Sequence, residues 1–205
     1  MKNFNTIDLF CGAGGLSYGL EQAGCNILLG VDNDDDSLKT FSLNHKNSIG
    51  ANIDLFSDYY LERIIDLTKG KKIDVIVGGP PCQGFSLTGT RNFDDKRNTL
   101  YLRMFDIVKK LKPEAFVIEN VTGMATLYGG QVKEEIIKRF SKLGYNVTNQ
   151  VLVAANFGVP QMRKRLVFVG IKKEYGEFTF PDQTHTEKDY VTCAEALSDL
   201  PSRED

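Results

Sequence analysis

The chain has 205 residues, of which 41% are hydrophobic and 25% are charged, and this composition favours one globular domain over a low-complexity chain. No apolar run approaches the roughly 18 residues of a membrane helix, no secretory signal pattern opens the chain, and four scattered cysteines with two histidines argue against a metal site. The net charge of −2 excludes a uniformly basic protein, and we expect a cytoplasmic protein with neither a membrane nor a metal as partner.

Short β-branched runs alternate with amphipathic stretches along the chain. The apolar runs predict strands over residues 6–9, 27–31, 73–77, 115–118, 146–154 and 165–171. The amphipathic stretches predict helices over residues 15–23, 34–43, 58–68, 98–111 and 132–143, with one short helix before Pro201. Apolar strands separated by helices predict a doubly wound, mostly parallel α/β sheet covered on both faces. The last two strands follow each other without a helix, which predicts an antiparallel pair at one edge.

The basic residues are concentrated in the middle of the chain. Residues 67–173 hold 19 Lys and Arg against 8 Asp and Glu, a balance of +11. Residues 1–66 hold 10 acids and 4 bases, and residues 174–205 hold 9 acids and 2 bases, so the ends balance to −6 and −7. The central block is either a solvated surface or a surface that faces a polyanion such as nucleic acid.

A glycine-rich turn follows the first predicted strand, in the sequence IDLFCGAGG. Gly12, Gly14 and Gly15 allow the backbone to turn tightly and to approach a ligand beyond the carboxyl ends of the strands. Asp32 ends the second strand about 20 residues later, where an acid can accept hydrogen bonds from ribose hydroxyls. The spacing is not the G-x-G-x-x-G of dinucleotide sites, and Asp8 before the turn suits a cationic or neutral ligand. The turn therefore indicates either a nucleoside site or an ordinary strand-to-helix connection.

Two prolines brace a cysteine after the strand over residues 73–77, in the sequence VIVGGPPCQGFSLTG. Pro80 and Pro81 stiffen the backbone, and the strand end places Cys82 at the same edge of the sheet as the glycine turn. A lone cysteine is most often a small buried hydrophobe. A rigidly held thiol before a polar, glycine-containing loop is also a candidate nucleophile.

Two further segments supply polar side chains at this edge. Glu119 and Asn120 follow the strand over residues 115–118, where a partly desolvated carboxyl group could carry a proton and act as an acid. Arg163 and Arg165 alternate as the last strand begins, so both can face one side. Fixed guanidinium groups can bind a phosphate, favour a thiolate or donate to a carbonyl oxygen. Each feature alone could also be an edge acid or a solvated arginine pair.

These segments together resemble the DNA (cytosine-5)-methyltransferases. The motifs that carry the resemblance are DLFCGAGG, GGPPCQGFS, IENV and the Q-x-R-x-R of residues 161–165, in the order and spacing of that family. The resemblance runs from residue 5 to about residue 201. It implies the class I methyltransferase form of the doubly wound, Rossmann-like sheet, with S-adenosylmethionine as cofactor and double-stranded DNA as substrate.

The resemblance also implies where the cofactor binds. Asp32 stands where the family often has glutamate, and Asn52 stands where aspartate is usual. Both positions therefore keep an acceptor oxygen, the first for the ribose and the second for the adenine. The implied cofactor-binding residues are Phe10, Gly12, Gly14, Gly15, Asp32, Asn33, Asn52, Ile53, Pro80 and Leu100.

The implied reaction is methyl transfer to C5 of a cytosine flipped out of the duplex, as in bacterial restriction–modification systems. Cys82 would attack C6 as a thiolate, Glu119 would protonate N3, and Arg165 would bind the base carbonyl, with Arg163 completing the catalytic set. Loss of the C5 proton would expel the thiol, and the loop after Cys82 would close over the base. The residues implied for the substrate and this loop are Pro81, Gln83, Ser86, Asn120 and Gln161.

The resemblance further predicts an incomplete chain. We expect an S-adenosylmethionine-dependent catalytic domain over residues 1–173, and an extension over residues 174–205 that leads to a target-recognition region absent from the sequence. A complementary chain would supply that region. The chain would then be a fragment, one subunit of a split enzyme or a degenerate paralogue.

Three alternative functions stay open on the sequence. A tRNA cytosine-5 methyltransferase would keep the chemistry and change the substrate. A non-catalytic DNA-binding or regulatory subunit of a split methyltransferase would not need Cys82. A nicotinamide-dependent oxidoreductase is disfavoured, because the chain lacks G-x-G-x-x-G and a histidine suited to hydride transfer.

Overall fold

The computed structural model describes residues 3–81, 100–126 and 130–201 as alternating strands and helices. The strands are β1 (Asn5–Leu9), β2 (Asn26–Asp32), β3 (Ile49–Asn52), β4 (Val75–Gly78), β5 (Ala115–Val121), β6 (Tyr145–Val153) and β7 (Lys164–Lys172). The helices are α1 (Gly15–Gln22), α2 (Asp35–Asn44), α3 (Tyr60–Leu67), α4 (Leu100–Leu111), α5 (Gly123–Thr126), α6 (Gln131–Lys142) and α7 (Cys193–Ala196). Short 3-10 helices follow β6 at Ala154–Phe157 and β7 at Lys173–Tyr175.

The seven described strands form one sheet in the order β3-β2-β1-β4-β5-β7-β6. The first five strands run parallel to one another. Strand β7 lies antiparallel between β5 and β6. The predicted doubly wound, mostly parallel sheet is therefore confirmed, and so is the antiparallel pair of its last two strands.

Strand β5 and strand β3 differ from the sequence pattern. We predict a strand over residues 115–118, but β5 continues to Val121 because β7 pairs with its polar end, with Glu119 opposite Val167. Glu119 and Asn120 thus lie within the sheet rather than after it. The sequence does not predict strand β3, because its four residues include Gly50. These residues form a strand through pairing with β2.

Apolar side chains fill two clusters, and the larger one joins the sheet to α3, α4 and α6. Phe116 of β5 packs against Phe140 of α6 there, with ring centroids 4.1 Å apart. Burying a side chain of this size contributes about 2 kcal/mol. A smaller cluster holds Ile27 of β2 together with Leu38 and Phe41 of α2. The strands are thus covered by helices through two separate apolar layers.

The carboxyl ends of the parallel strands meet at one edge of the sheet, and this arrangement positions the site. Strand β1 ends at Leu9, β2 at Asp32 and β4 at Gly78. Strand β7 runs the opposite way, so its first residues reach the same edge, where Arg165 pairs with Val121. The motif segments of the sequence therefore converge at this edge, where ligands of open α/β sheets bind.

The residues after β7 pack against the 3-10 helix that follows β6. The backbone N–H groups of Thr184 and His185 both donate to the carbonyl oxygen of Asn156 at 3.0 Å. The Sγ of Cys193 in α7 lies 3.4 Å from the carbonyl oxygen of Pro160. The domain boundary near residue 173 stays a prediction. Within residues 3–81, 100–126 and 130–201, no helix is long and apolar enough to cross a membrane.

Candidate active site

The turn between β1 and α1 contains three residues in the left-handed region. Phe10, Gly12 and Gly14 have φ angles of 59°, 52° and 88°. Phe10 stores strain of roughly 1–3 kcal/mol in this conformation, as residues at ligand sites often do. Gly14 is the N-cap of α1, and a Cβ atom there would lie 2.6 Å from Nε2 of His45. Position 14 therefore requires glycine both for its backbone angle and for space.

Asp32 connects this turn to β2. Its Oδ2 accepts a hydrogen bond from the N–H of Gly12 at 2.8 Å. Its Oδ1 accepts from the N–H groups of Asn33 and Asp34 at 2.8 and 3.1 Å. A carboxylate offers about four acceptor positions, so these three bonds leave capacity for a ligand hydroxyl.

A cavity of about 470 Å³ opens beside Asp32, and we name it the first cavity. Its lining residues are Phe10, Val31, Asp32, Asn33, Ile53, Asp54, Leu55, Phe56, Gly79, Pro81 and Leu100. Six of these are residues that the sequence predicts for the site. Asp54 and Phe56 are not, because they follow the unpredicted strand β3 and belong to no motif. Apolar walls with a few polar groups suit a ligand of nucleoside size.

Asn52 is not among the residues that line the first cavity. Its Nδ2 donates to Oδ1 of Asp35 at 2.6 Å, and its side chain is exposed at the end of β3. The neighbouring Ile53 is buried and does line the cavity. The Asn52 amide, which the family resemblance places at the adenine, thus points toward α2. Asp54 lines the cavity in its place.

A second cavity, of about 440 Å³, leads from the glycine turn to β5 and the start of β7. Phe10 and Gly79 line both cavities, so the two adjoin. The second cavity is lined by Asp8, Phe10, Cys11, Gly15, Leu16, Gly79, Glu119 and Arg163. A ligand that fills both cavities would extend from Asp32 toward Glu119.

Glu119 and the two arginines of the Q-x-R-x-R motif form an ion-paired cluster. Nε of Arg165 lies 2.7 Å from Oε1 of Glu119, and Nη2 of Arg163 lies 3.6 Å from the same oxygen. Arg165 is opposite Val121, which makes it a diagonal neighbour of Glu119 on one face of the sheet. Both arginines therefore face one carboxyl group, as their alternation predicts.

Asn120 fixes the backbone ahead of Cys82. Its Nδ2 donates to the carbonyl oxygen of Pro80 at 3.0 Å, and both groups are buried. This hydrogen bond attaches the proline segment after β4 to the neighbouring strand β5. Cys82, Gln83 and Ser86 lie outside the described residues.

Four other predicted residues contribute to neither cavity wall. Gly12 and Gly14 shape the turn through their backbone, and Pro80 accepts the bond from Asn120. Gln161 is exposed in the segment before β7, and its N–H donates to the carbonyl oxygen of Val159 at 2.7 Å. These residues surround the two cavities without lining them.

Burial perturbs two acidic groups of the second cavity. Burial raises the pKa of Asp8 to about 7, although hydrogen bonds from Ser17 act in the opposite direction. Burial, with the nearby carboxylates of Asp8 and Asp32, also raises the pKa of the Cys11 thiol. A thiol that resists ionisation is a poor nucleophile. Cys11 therefore does not compete with Cys82 as a candidate nucleophile.

The two cavities and the ion-paired cluster define the chemistry available at this edge. A carboxyl group and two guanidinium groups can move a proton and stabilise charge on a polar ring. In the described ranges, no group of three or more His, Cys, Asp or Glu side chains is arranged to hold a metal ion. The site thus suits a reaction between a nucleoside-like ligand in the first cavity and a polar substrate beside Glu119.

Comparison with known proteins gives one consistent family. Residues 4–205 match the family model of C-5 cytosine-specific DNA methylase. The chain is 44% identical over 200 residues to the type II methyltransferase M1.HphI of Haemophilus parahaemolyticus, covering 95% of the chain and 52% of that relative. It is 35% identical to the type II methyltransferase M.AquIA of a Picosynechococcus species, covering 95% of the chain and 88% of that relative.

A solved structure agrees with the fold. The crystal structure of an Escherichia coli prophage protein assigned as a DNA modification methyltransferase superposes with a TM-score of 0.82 at 33% identity. The match covers 99% of this chain and 57% of that one. The chain spans about half the length of M1.HphI, M.DdeI and M.BspRI, whereas it spans 88% of the shorter relative M.AquIA.

Proposed function

Since the chain belongs to the C-5 cytosine-specific DNA methylase family, we propose that it transfers a methyl group from S-adenosylmethionine to C5 of a cytosine in DNA. The observation that carries this proposal is the continuity of the two cavities from Asp32 to Glu119 and Arg163. The names of its type II relatives support a role in restriction and modification. The basic block of residues 67–173, with its balance of 19 bases against 8 acids, suits a nucleic-acid substrate.

The residues present fit S-adenosylmethionine. Asp32 keeps acceptor capacity for the ribose, and Ile53, Phe56 and Leu100 give the first cavity apolar walls. Asp8 has a buried oxygen, Oδ2, without a hydrogen-bond partner in the described part of the chain. An orphaned carboxylate oxygen suits the cationic part of this cofactor. When bound, the cofactor supplies an electrophilic methyl group.

Cys82 is the proposed nucleophile. Its Sγ forms a bond to C6 of the cytosine, and Glu119 provides a proton at N3, which makes C5 electron-rich. After methylation, loss of the C5 proton restores the C5–C6 double bond and expels Sγ as a thiolate, and the N3 proton returns to Glu119. Asn120 supports this step by holding Pro80, two residues ahead of the thiol.

Arg165 is proposed to exchange partners when cytosine enters. Its Nε–H now donates to Glu119, and the same guanidinium carries further donors that suit the base carbonyl. A move toward that carbonyl frees the Glu119 carboxyl group for N3. Arg163 stays within 3.6 Å of Glu119 Oε1, and its side chain is half exposed at the mouth of the second cavity.

Target recognition is proposed to come from protein outside these 205 residues, either a longer form of the chain or a complementary chain. The relatives M1.HphI and M.DdeI extend to about twice the length matched here. Four large apolar side chains, those of Val159 and Met162 before β7 and of Leu197 and Leu200 after the start of α7, are 45–61% exposed. Exposed apolar side chains of this size suit contact with further protein.

The test uses the purified chain with S-adenosylmethionine that carries a labelled methyl group. Duplex DNA and tRNA are offered separately, with and without the product of the adjacent reading frame. We expect the wild-type chain to transfer label to DNA, and the added chain to increase this transfer. Cys82→Ser should transfer no label. Cys25→Ser is the matched control and should transfer label as the wild type does. Label in tRNA alone would indicate that the substrate is RNA. DNA binding without any transfer of label would indicate a non-catalytic subunit.

DNA that contains 5-fluorocytosine isolates the first chemical step, because fluorine cannot leave C5 as a proton does. We expect a covalent adduct with the wild-type chain that migrates with the DNA in a denaturing gel. An adduct that persists in Cys82→Ser would remove Cys82 from the mechanism.

A further inference from the structure

A third cavity, of about 630 Å³, lies at the opposite end of the sheet from the candidate active site. Its walls come from the ends of α4, α6 and β7 and from the start of β6. The lining residues are Val108, Lys109, Lys112, Lys142, Leu143, Gly144, Tyr145, Lys172, Lys173 and Glu174. Five of these ten residues are lysines and one is an acid, so we name this space the lysine cavity.

Strand β7 shows how far the lysine cavity lies from the candidate active site. Lys172 is the last residue of β7, and Arg165 lies seven positions earlier, near the start of the strand. At roughly 3.3 Å per residue of a strand, their Cα atoms are about 23 Å apart. The cytosine proposed to reach Glu119 enters at the Arg165 end, so the lysine cavity serves no step of that reaction. Part of the basic block of residues 67–173 thus lies away from the proposed chemistry.

The lysines of this cavity have no acidic partners. Across residues 3–81, 100–126 and 130–201, no acidic side chain forms an ion pair with any of the five. Lys72, at the same end of the sheet, differs from them, because it lies 3.3 Å from Oδ1 of Asp74 and also pairs with Glu114. Positive charges held together without counter-charges repel one another. A bound anion would relieve this repulsion.

Helix dipoles account for only part of this charge. Lys109 and Lys142 lie in the last turns of α4 and α6, where a positive charge complements the dipole. Lys172 ends a strand and Lys173 begins a 3-10 helix, so no α-helix dipole explains them. Lys112 has a φ angle of 49°, a conformation that glycine adopts with less strain. Local structure therefore does not explain three of the five lysines.

Hydrogen bonds between its elements fix the backbone of the lysine cavity. The N–H of Lys173 donates to the carbonyl oxygen of Gly144 at 2.9 Å, which attaches the end of β7 to the turn before β6. The hydroxyl group of Tyr145 donates to the carbonyl oxygen of Pro113 at 2.7 Å, and this tyrosine is buried. The lysine side chains therefore extend from backbone that is held in place around one space.

We propose that the lysine cavity binds a chain of phosphate groups, either inorganic polyphosphate or the triphosphate of a nucleotide. Lysine binds phosphate as a compact positive charge, and successive phosphate groups carry enough negative charge to engage several lysines. The volume lies within the range of small-molecule sites and exceeds that of the first cavity, so a ligand of nucleotide size fits. This site is separate from the proposed methyl transfer and does not depend on it.

Isothermal titration calorimetry with inorganic triphosphate tests the site. We expect the wild-type chain to bind a single triphosphate, and Lys172→Gln to weaken this binding roughly tenfold, because one charged contact is lost. Lys110→Gln is the matched control, since this lysine of α4 is not among the lining residues. Sulfate at the same ionic strength should bind much more weakly. Equal losses in the two variants, or equal binding of sulfate, would indicate general charge attraction and overturn the inference.

A second pair of variants separates binding from folding. Lys112→Gly and Lys69→Gly remove the same charge at positions with φ angles of 49° and 51°, where glycine fits. Neither variant should lower the melting temperature of the free chain. We expect Lys112→Gly to weaken triphosphate binding roughly fivefold. Lys69→Gly should leave the affinity unchanged, because Lys69 does not line the cavity. An equal effect of the two variants would contradict the proposed site.

Titration with ATP distinguishes the two sources of phosphate. ATP that binds more tightly than triphosphate, and loses affinity in Lys172→Gln, would identify a nucleotide site. Equal affinities of ATP and triphosphate would identify a site for inorganic polyphosphate. Duplex DNA should bind the wild type and Lys172→Gln equally. A defect of Lys172→Gln in DNA binding, with no triphosphate bound by the wild type, would assign these lysines to nucleic acid and overturn the inference.

A measurement on the wild-type chain needs no variant. Acetic anhydride modifies accessible lysines, and mass spectrometry gives the rate of modification at each position. We expect triphosphate to slow modification at the five lysines of the cavity and to leave Lys69 and Lys110 unchanged. Equal protection of all these lysines, or no protection in the cavity, would contradict the assignment.

Discussion

Asn120 Nδ2 donates a 3.0 Å hydrogen bond to the carbonyl oxygen of Pro80, and this bond joins β5 to the segment that follows β4. Both partners are buried, and proline has no N–H group with which to pair its segment to the sheet. Through this bond, β5 therefore holds the backbone two residues before Cys82. The IENV and PPC motifs are neighbours in space for this reason.

Asn120→Ala leaves the Pro80 carbonyl oxygen buried without its donor. We expect a loss of about 1–3 kcal/mol in the free energy of unfolding, measured by urea denaturation. We also expect slower adduct formation with 5-fluorocytosine DNA, because the thiol loses its rigid support. Asn149→Ala, on the edge strand β6, is the control. A normal adduct rate in Asn120→Ala would show that the bond serves stability alone.

Arg165→Lys and Arg163→Lys distinguish the two arginines. Lysine keeps the charge but has no equivalent of the Nε–H that lies 2.7 Å from Glu119. We expect Arg165→Lys to lower the single-turnover rate of methylation by roughly 100-fold, as loss of a positioned donor does. Arg163, at 3.6 Å and half exposed, should lose roughly tenfold or less. Equal losses would contradict the geometry of the cluster.

Asp8→Asn should change how stability depends on pH. Burial raises the pKa of Asp8 from 3.8 to about 7, so the folded chain binds a proton between these values that the unfolded chain has released. The contribution of Asp8 to the free energy of unfolding is therefore full below pH 4 and is lost as the pH rises through 7. The whole change is on the order of 4 kcal/mol.

The asparagine variant carries no such proton, so its stability relative to wild type should improve steadily from pH 4 to pH 8. Urea denaturation at both pH values measures the difference. A parallel pair of stability curves would show that Asp8 titrates normally.

Asn52→Ala and Asp54→Ala test which residue faces the adenine. The Asn52 amide is engaged by Asp35 at 2.6 Å, whereas Asp54 lines the first cavity. We expect Asn52→Ala to change S-adenosylhomocysteine affinity less than about twofold and Asp54→Ala to weaken it roughly tenfold. Calorimetry gives both values. The reverse order would return the adenine contact to Asn52.

The sequence predicts much of this architecture because its signals are local. Glycines in the first turn, apolar strands and amphipathic helices each depend on residues close together in the chain. The alternation of Arg163 and Arg165 likewise predicts that both face one side, and both contact Glu119. Strand β3 lacks such a signal, because four residues around Gly50 form a strand only when β2 is beside them.

The parts that escape prediction depend on contacts between distant residues. Asn52 turns away from the cavity because Asp35, 17 positions earlier, accepts its amide hydrogen. Glu21, Ser17 and His45 meet beside Asp8 through hydrogen bonds, and no motif contains all of them. A lone histidine after a helix gives no indication in the sequence that it will be buried against a glycine turn.

Strand β7 enters the sheet in the reverse direction, and this has a consequence for the order of biosynthesis. Every described residue that lines the first cavity lies between positions 10 and 100, whereas Arg165 follows Glu119 by 46 positions. A ribosome thus delivers the described wall of the first cavity long before it delivers the arginines. Until β7 has emerged and inserted between β5 and β6, Glu119 lacks the guanidinium groups of Arg163 and Arg165. The nascent polypeptide therefore receives its proposed methyl-donor pocket first and its cytosine chemistry last.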